Sequence, residues 1–217
     1  MSPLDDWSGG TVSTSYFVFT ANPDLARNMT LNREDLAEEA FLPDGVFERI
    51  LGKAVAWCVQ TSPAVSLYSM ALFRHGAILW FGSQRFRLLC LPAESVIRLD
   101  VEGKNPLAVH KRLQEQINTI IAECLHALRF FTCIPYDPTP TWCPDEERTK
   151  AQAFEDDTDG MLLPLKQLRM VATSNACALS VRGGRRLLSA EDIRGRYGQW
   201  LEIFNLRSSY DIFISYR

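Results

Sequence analysis

The clearest pattern in the chain is a change of hydrophobic period near residue 65. Between Pro43 and Cys58, apolar residues recur at helical spacing, and Pro43 suits the first turn of a helix. Beyond residue 65, short apolar runs alternate with turn residues, which predicts strands. These predicted strands cover residues 65–73, 77–81, 84–91 and 97–101. The tight connections predict an antiparallel meander with one covered face.

A second amphipathic helix follows the predicted meander. Asn105 suits its N-cap and Pro106 its first position, and its apolar stripe continues to about Arg129. His110 falls on the polar face of this predicted helix. Because each helix has one apolar stripe, we expect both to cover the same face of the sheet. The expected fold is therefore α+β, an antiparallel four-stranded meander flanked by two amphipathic helices.

Shorter elements are predicted on either side of this module. Residues 14–20 form an aromatic and β-branched run, typical of a strand, and residues 33–39 form a polar helical stretch. Residues 161–170 suggest a strand–helix corner. Ser189 and Asp192 are spaced as a capping box for a last helix, which gives a small C-terminal helical extension.

Composition changes sharply after the second helix. Residues 138–160 contain three prolines and a run of acidic residues, as expected of a solvated linker. The sequence thus predicts five regions, which are an N-terminal strand and connector (1–40), the α+β module (41–137), the linker (138–160), the helical extension (161–207) and the start of a further domain (208–217).

Bulk composition excludes several functional classes. With 47% hydrophobic residues, 23% charged residues and a net charge of −3, the chain suits a globular protein without a nucleic-acid partner. It contains neither an apolar run of the ~20 residues that a membrane span requires nor a signal-peptide pattern. Its six cysteines include no CxxC pair. Cys58 and Cys124 lie on apolar helix faces and Cys90 in an apolar strand, which favours reduced thiols and a cytoplasmic location.

No residue pattern indicates catalysis, a metal or a cofactor in this chain. Gly52-Lys53 lies inside a helix, and Ala54 stands where a phosphate-binding loop requires Ser or Thr. The three histidines do not combine with cysteine or glutamate at catalytic or metal-binding spacing. We therefore expect a protein that is not an enzyme.

Two surface features are candidates for binding. Trp80 and Phe81 lie on a short predicted strand and suggest self-association, although a place in the core is the simpler interpretation. Arg182, Arg185 and Arg186 form a basic turn suited to an acidic partner or a phosphate, although a solvated turn and helix face is the favoured interpretation.

The α+β module resembles the C-terminal half of the COR domain of Roco proteins, which carry a Ras-like Roc GTPase upstream. The resemblance spans roughly residues 40–137 and rests on the order of three sets of motifs. These are LPDGVFER at 42–49, LFRHGA at 72–77 with FRL at 86–88, and Asn105-Pro106 followed by IIAECL at 120–125. It implies a homodimerising module that transmits the nucleotide state of the GTPase.

The last eight residues form an apolar strand pattern, YDIFISYR, with nothing after it in this chain to cover it. This segment resembles the first strand motif of a TIR domain, and it predicts that the chain is a fragment of a larger protein. The positions that carry the motif are Tyr210, Asp211, Phe213, Ser215, Tyr216 and Arg217.

Together the resemblances imply a non-catalytic regulatory, dimerisation and scaffolding module that couples an upstream GTPase to a TIR domain. GTP or NAD would then be ligands of missing parts of the parent protein. One alternative is an adaptor in a TIR protein whose missing part hydrolyses NAD. Another is a plain adaptor without an upstream GTPase.

Overall fold

Seven strands form one antiparallel sheet in the part of the chain that the structure describes. The computed structural model describes residues 12–62, 69–124, 128–136, 160–174, 178–180 and 186–203, five of them by their backbone alone. The strands are β1 (Val12–Thr20), β2 (Ala71–Phe73), β3 (Gly76–Phe81), β4 (Gln84–Leu91), β5 (Val96–Glu102), β6 (Arg129–Pro135) and β7 (Leu162–Pro164). Their order across the sheet is β2-β3-β4-β5-β1-β6-β7.

The remaining elements are helices and a short hairpin. The helices are α1 (Arg33–Glu39), α2 (Val46–Thr61), α3 (Pro106–Cys124), α4 (Leu165–Thr173) and α5 (Ala190–Ile203), with a 3-10 turn at Leu25–Arg27. Strands β8 (Leu179–Ser180) and β9 (Arg186–Leu188) pair as a separate two-stranded sheet. In these described segments no helix is both long and apolar enough to cross a membrane.

The α+β class is confirmed, but the predicted four-stranded meander is wrong, because the sheet has seven strands among the described residues. Strands β2 to β5 are neighbours in chain order, and β1, β6 and β7 then extend the same sheet. Strand β1 pairs on one side with β5 and on the other with β6, so that Phe17 lies opposite both Ile97 and Thr132. The local hydrophobic period identifies a strand but not its partner, which is why the meander was expected to end at β5.

The expectation that two helices share one face of the sheet is confirmed. Helices α2 and α3 enclose the largest apolar cluster together with residues of β1, β3, β4 and β5. Phe17, Phe86 and Leu99 lie on this face and are fully buried. We call it the helix-covered face. The opposite side of strands β1, β3, β4 and β5, which residues 25–36 cover in part, is called the open face.

Two helix boundaries differ from the prediction. Helix α2 begins at Val46 after Gly45, whose φ of +79° favours glycine, rather than at Pro43. Helix α3 begins at Pro106 as predicted and is described up to Cys124, but Arg129, to which it was expected to extend, belongs to β6. Residues 129–135 form β6, because their aromatic and β-branched side chains pair with β1.

The smaller predicted elements agree with the structure. Asn32 and Asp35 form a capping box at the start of α1. At the start of α5, the Ser189 backbone N–H donates to Asp192 Oδ2 at 2.7 Å, and the Asp192 N–H donates to Ser189 Oγ at 3.0 Å. Strand β7 leads directly into α4, which is the predicted strand–helix corner.

Segments on both sides of the predicted module pack on the same sheet. Val18 of β1, Leu25, Leu31 and Leu36 share an apolar cluster with Cys133 of β6 on the face opposite α2 and α3. A further cluster joins β6 and β7 to helices α4 and α5. The linker up to residue 159 and the TIR-like segment at 208–217 lie outside the described residues.

Removal of β1 is expected to prevent folding of the sandwich, by which we mean the sheet together with helices α2 and α3. A fragment of residues 41–137 would lack the strand that joins β5 to β6, leaving both with unpaired edges and an open core beside Ile97. We expect it to unfold without a cooperative transition in urea, while residues 12–203 unfold cooperatively. Circular dichroism across a urea series checks this, and a cooperative transition of the short fragment would contradict it.

Candidate functional site

A buried carboxylate connects three neighbouring strands on the open face. Asp100 of β5 has no solvent-exposed surface, and its side chain accepts hydrogen bonds from β1 and β4. Thr14 Oγ1 donates to Oδ1 at 2.7 Å, while Arg87 donates to Oδ2 from Nη2 at 2.7 Å and from Nε at 2.9 Å. Arg98 Nε donates to Oδ1 at 2.9 Å. The strand register brings these side chains to Asp100, because Thr14 and Arg87 lie directly opposite it on the two neighbouring strands.

The residues around Asp100 also hold the aromatic ring of Tyr16, through Arg98. The guanidinium of Arg98 lies 5.9 Å from the ring centre of Tyr16, its opposite residue on β1. Burial disfavours the charge of Arg98, but Asp100 and Tyr16 outweigh it and raise its pKa above the usual value. Burial also raises the pKa of Tyr16. Because both carboxylate oxygens already accept hydrogen bonds from charged or hydroxyl donors, Asp100 suits a structural clamp better than a general base.

His110 lies in the core, and its predicted place on a polar helix face is wrong. The ring is 2% exposed and its Nδ1 lies 2.8 Å from Ser15 Oγ on β1. Trp200 of α5 contacts the ring edge-on, with 4.7 Å between centres. Position 110 precedes Leu113 and Ile117 by one and two helical turns, a spacing that marks the buried stripe. Histidine was counted as polar, and this hid the signal.

Burial lowers the pKa of His110 to about 3, against the opposing influence of the nearby Ser13 carbonyl and of Asp100. The imidazole is therefore neutral at pH 7. Within the described residues its Nε2 has no hydrogen-bond partner. A Ser–His pair can activate a nucleophile only where a substrate reaches it. Ser15 is fully buried, so this pair has a structural role in the conformation described.

A groove opens beside this pair, at the end of the sheet where β1 begins and β5 and β6 end. It has a volume of about 510 Å³. Its walls come from the start of β1, the β5–α3 connection, the end of β6 and one side of α5. The lining residues that concern its chemistry are Ser13, Thr14, Lys104, Leu107, Arg196 and Trp200.

The two predicted self-association residues lie on opposite faces of β3. Phe81 packs against Trp57 of α2, with ring centres 4.3 Å apart, and so belongs to the helix-covered face. Trp80 lies opposite Arg85, on the open face with the Asp100 cluster, and is partly exposed. Successive strand residues point to opposite faces. Trp80 and Phe81 therefore do not form one patch.

The basic turn is described only at its last residue, and the TIR-like motif lies outside the described residues. Arg182, Arg185 and residues 210–217 lie outside the described residues, and Arg186 begins β9 with only its backbone described. Further along, Arg194 Nε donates to the Ala172 carbonyl at 2.9 Å and ties α5 to α4.

The described cysteine thiols behave as apolar core groups. Cys58, Cys90 and Cys133 are not in disulfide bonds, as the sequence predicted for Cys58 and Cys90. Burial raises the pKa of Cys58 to about 12, which keeps it protonated and unreactive at pH 7. Across the described ranges, no group of three or more potential ligand side chains could hold a metal ion.

No family model matches this chain, and no curated protein matches it. Membership of the Roco and TIR families therefore stays a prediction, based on the motifs quoted above.

Loss of the Asp100 charge is expected to destabilise the fold strongly. Asp100→Asn removes the negative charge that Arg87 and Arg98 contact, and breaking a buried ion pair costs about 3–5 kcal/mol. Glu102→Gln is the matched control, because it removes the charge of a more exposed ion pair. Glu102 Oε2 lies 3.9 Å from Arg85 Nη1, and 31% of the Glu102 side chain is exposed. We expect it to cost less than about 1 kcal/mol. Urea denaturation measures both, and equal costs would contradict the clamp.

Stability should decrease in mild acid because of His110. Its folded pKa of about 3 is below the unfolded value of 6.5, so the unfolded chain binds more protons between these values. This contribution to the free energy of unfolding should fall by about 2 kcal/mol from pH 7 to pH 5. His110→Gln should remove that part of the pH dependence, while His75→Gln, in an exposed turn, should retain it. Denaturation at both pH values measures this, and an unchanged dependence in His110→Gln would contradict it.

Proposed function

We propose that this chain is a non-catalytic regulatory and scaffolding module of a Roco-type signalling protein. In this proposal it couples an upstream GTPase domain to a downstream TIR domain and contributes to dimerisation. The role is conformational, because a change in packing on one side of the sandwich would move the elements attached to the other side.

The observation that carries the proposal is the packing of α5 on α3 and α4, because α5 precedes the TIR-like segment in the chain. Trp200 of α5 contacts His110 of α3, and Arg194 of α5 bonds to α4. Helix α3 in turn covers the central strands of the sheet. A shift of α3 would therefore be passed to α5, and from α5 to whatever domain follows it.

The open face supplies the surface that the scaffolding part of the proposal requires. Trp80, Tyr16 and Arg98 are partly exposed there and belong to the residue types that contribute most to protein interfaces. The Asp100 cluster holds Arg98 in place, so a partner would meet a rigid surface. Pre-ordered side chains lower the entropic cost of association.

Family membership is tested by the complete coding sequence of the parent protein. We expect a phosphate-binding loop upstream of Met1 and the remainder of a TIR domain after Arg217. A coding sequence with neither feature would contradict the proposed coupling role.

Dimerisation is tested by light scattering of the chain across a concentration series. We expect the mass to rise from 24.6 kDa towards twice that value as concentration increases. Trp80→Ala should weaken the dimer, because it removes a large side chain from the open face. Met170→Ala is the control, since Met170 is 45% exposed but lies on α4. A mass that stays at the monomer value would contradict the proposal.

A further inference from the structure

The groove beside His110 combines parts of the fold that are distant in sequence. Ser13 comes from β1, Lys104 and Leu107 from the β5–α3 connection and the first turn of α3, and Arg196 and Trp200 from α5. Any ligand in this groove would therefore contact both the sandwich and the C-terminal helix.

The charges that line the groove are of one sign. Lys104 and Arg196 are basic, and none of the described residues that line it is acidic. This contrasts with the whole chain, whose net charge is −3. The first turn of α3 adds the positive end of a helix dipole to the same wall. The groove thus favours an anionic group.

The aromatic wall of the groove is backed by an unsatisfied polar group. Trp200 lines the groove and contacts the His110 ring, and Ser13, which also lines it, has its carbonyl close to that ring. His110 is 2% exposed, and its Nε2 has no hydrogen-bond partner among the described residues. Trp200 and Ser13 therefore connect the groove to the buried histidine.

We propose that this groove binds a small molecule that carries a phosphate or carboxylate group on an aromatic body. The anionic group lies between Lys104 and Arg196, and the body packs against Trp200. A volume of about 510 Å³ is within the range of small-molecule sites. Lys104 lies in the β5–α3 connection and Arg196 on α5, so a ligand that contacts both stabilises the packing of α5 on the rest of the fold. This inference does not depend on membership of the Roco family.

The test is an NMR titration of the full chain with inorganic phosphate and with phenyl phosphate, at constant ionic strength set with sodium chloride. We expect saturable shifts of the Trp200 indole N–H and the Leu107 amide. Phenyl phosphate should bind several-fold more tightly than inorganic phosphate, because it also contacts Trp200. Lys104→Gln and Arg196→Gln should each weaken binding about tenfold, through loss of a charge-assisted hydrogen bond.

Lys111→Gln is the matched control, since Lys111 is exposed on α3 and does not line the groove. It should bind phenyl phosphate as tightly as the unchanged chain. Lys104→Gln changes a side chain that is exposed, so it tests binding without disturbing the core. Non-saturable shifts, unchanged binding in Lys104→Gln, or equal losses in Lys104→Gln and Lys111→Gln would each overturn the proposal.

Discussion

The buried carboxylate of Asp100 is the interaction on which the rest of this structure depends. It accepts hydrogen bonds from Thr14 on β1 and from Arg87 on β4, and so ties the N-terminal strand to the meander. An ionised carboxylate without such partners would be very costly to bury. The cluster is therefore stable only with β1 in place and in one register. A slip of one residue would replace Thr14 with a neighbour that points to the other face.

Through β1, this constraint extends to the C-terminal part of the described chain. Among the described strands, β6 and β7 join the meander by way of β1, and helices α4 and α5 pack on β6 and β7. Strand β1 also supplies Ser15, which contacts His110, and Ser13 and Thr14, which line the groove. One strand thus determines the sheet order, the position of the buried histidine and a wall of the groove. This shared dependence is the physical basis for proposing that a change in the sandwich reaches α5.

The elements that were predicted from sequence are those with a local signal. Strand β4 occupies residues 84–91 as expected, because Gly82 and Pro92 flank a run of apolar alternation. The Ser189–Asp192 cap was predicted because a capping box is local in sequence. In contrast, Thr14 and Asp100 are 86 residues apart, and no local pattern indicates their pairing. Alternation of Arg98 and Asp100 with Ile97, Leu99 and Val101 suggests a solvated face, although Asp100 is fully buried.

The groove was missed for the same reason as the strand order. Its lining residues come from several separate segments, and each looks like an ordinary strand end, turn or helix face in the sequence. His110 was missed because the classification of histidine as polar outweighed its helical spacing. Strand β6 was hidden because its apolar residues continue the preceding helix pattern. In each case tertiary pairing decided the structure.

Native-state hydrogen exchange of the chain tests the central role of β1 most directly. We predict that the amides of Phe17 and Val18 exchange only through global unfolding, with the same free energy and denaturant dependence as Leu99 of β5. Exchange of the β1 amides at a lower free energy than those of β3 and β4 would contradict the account. It would show that the meander remains folded after β1 has left the sheet.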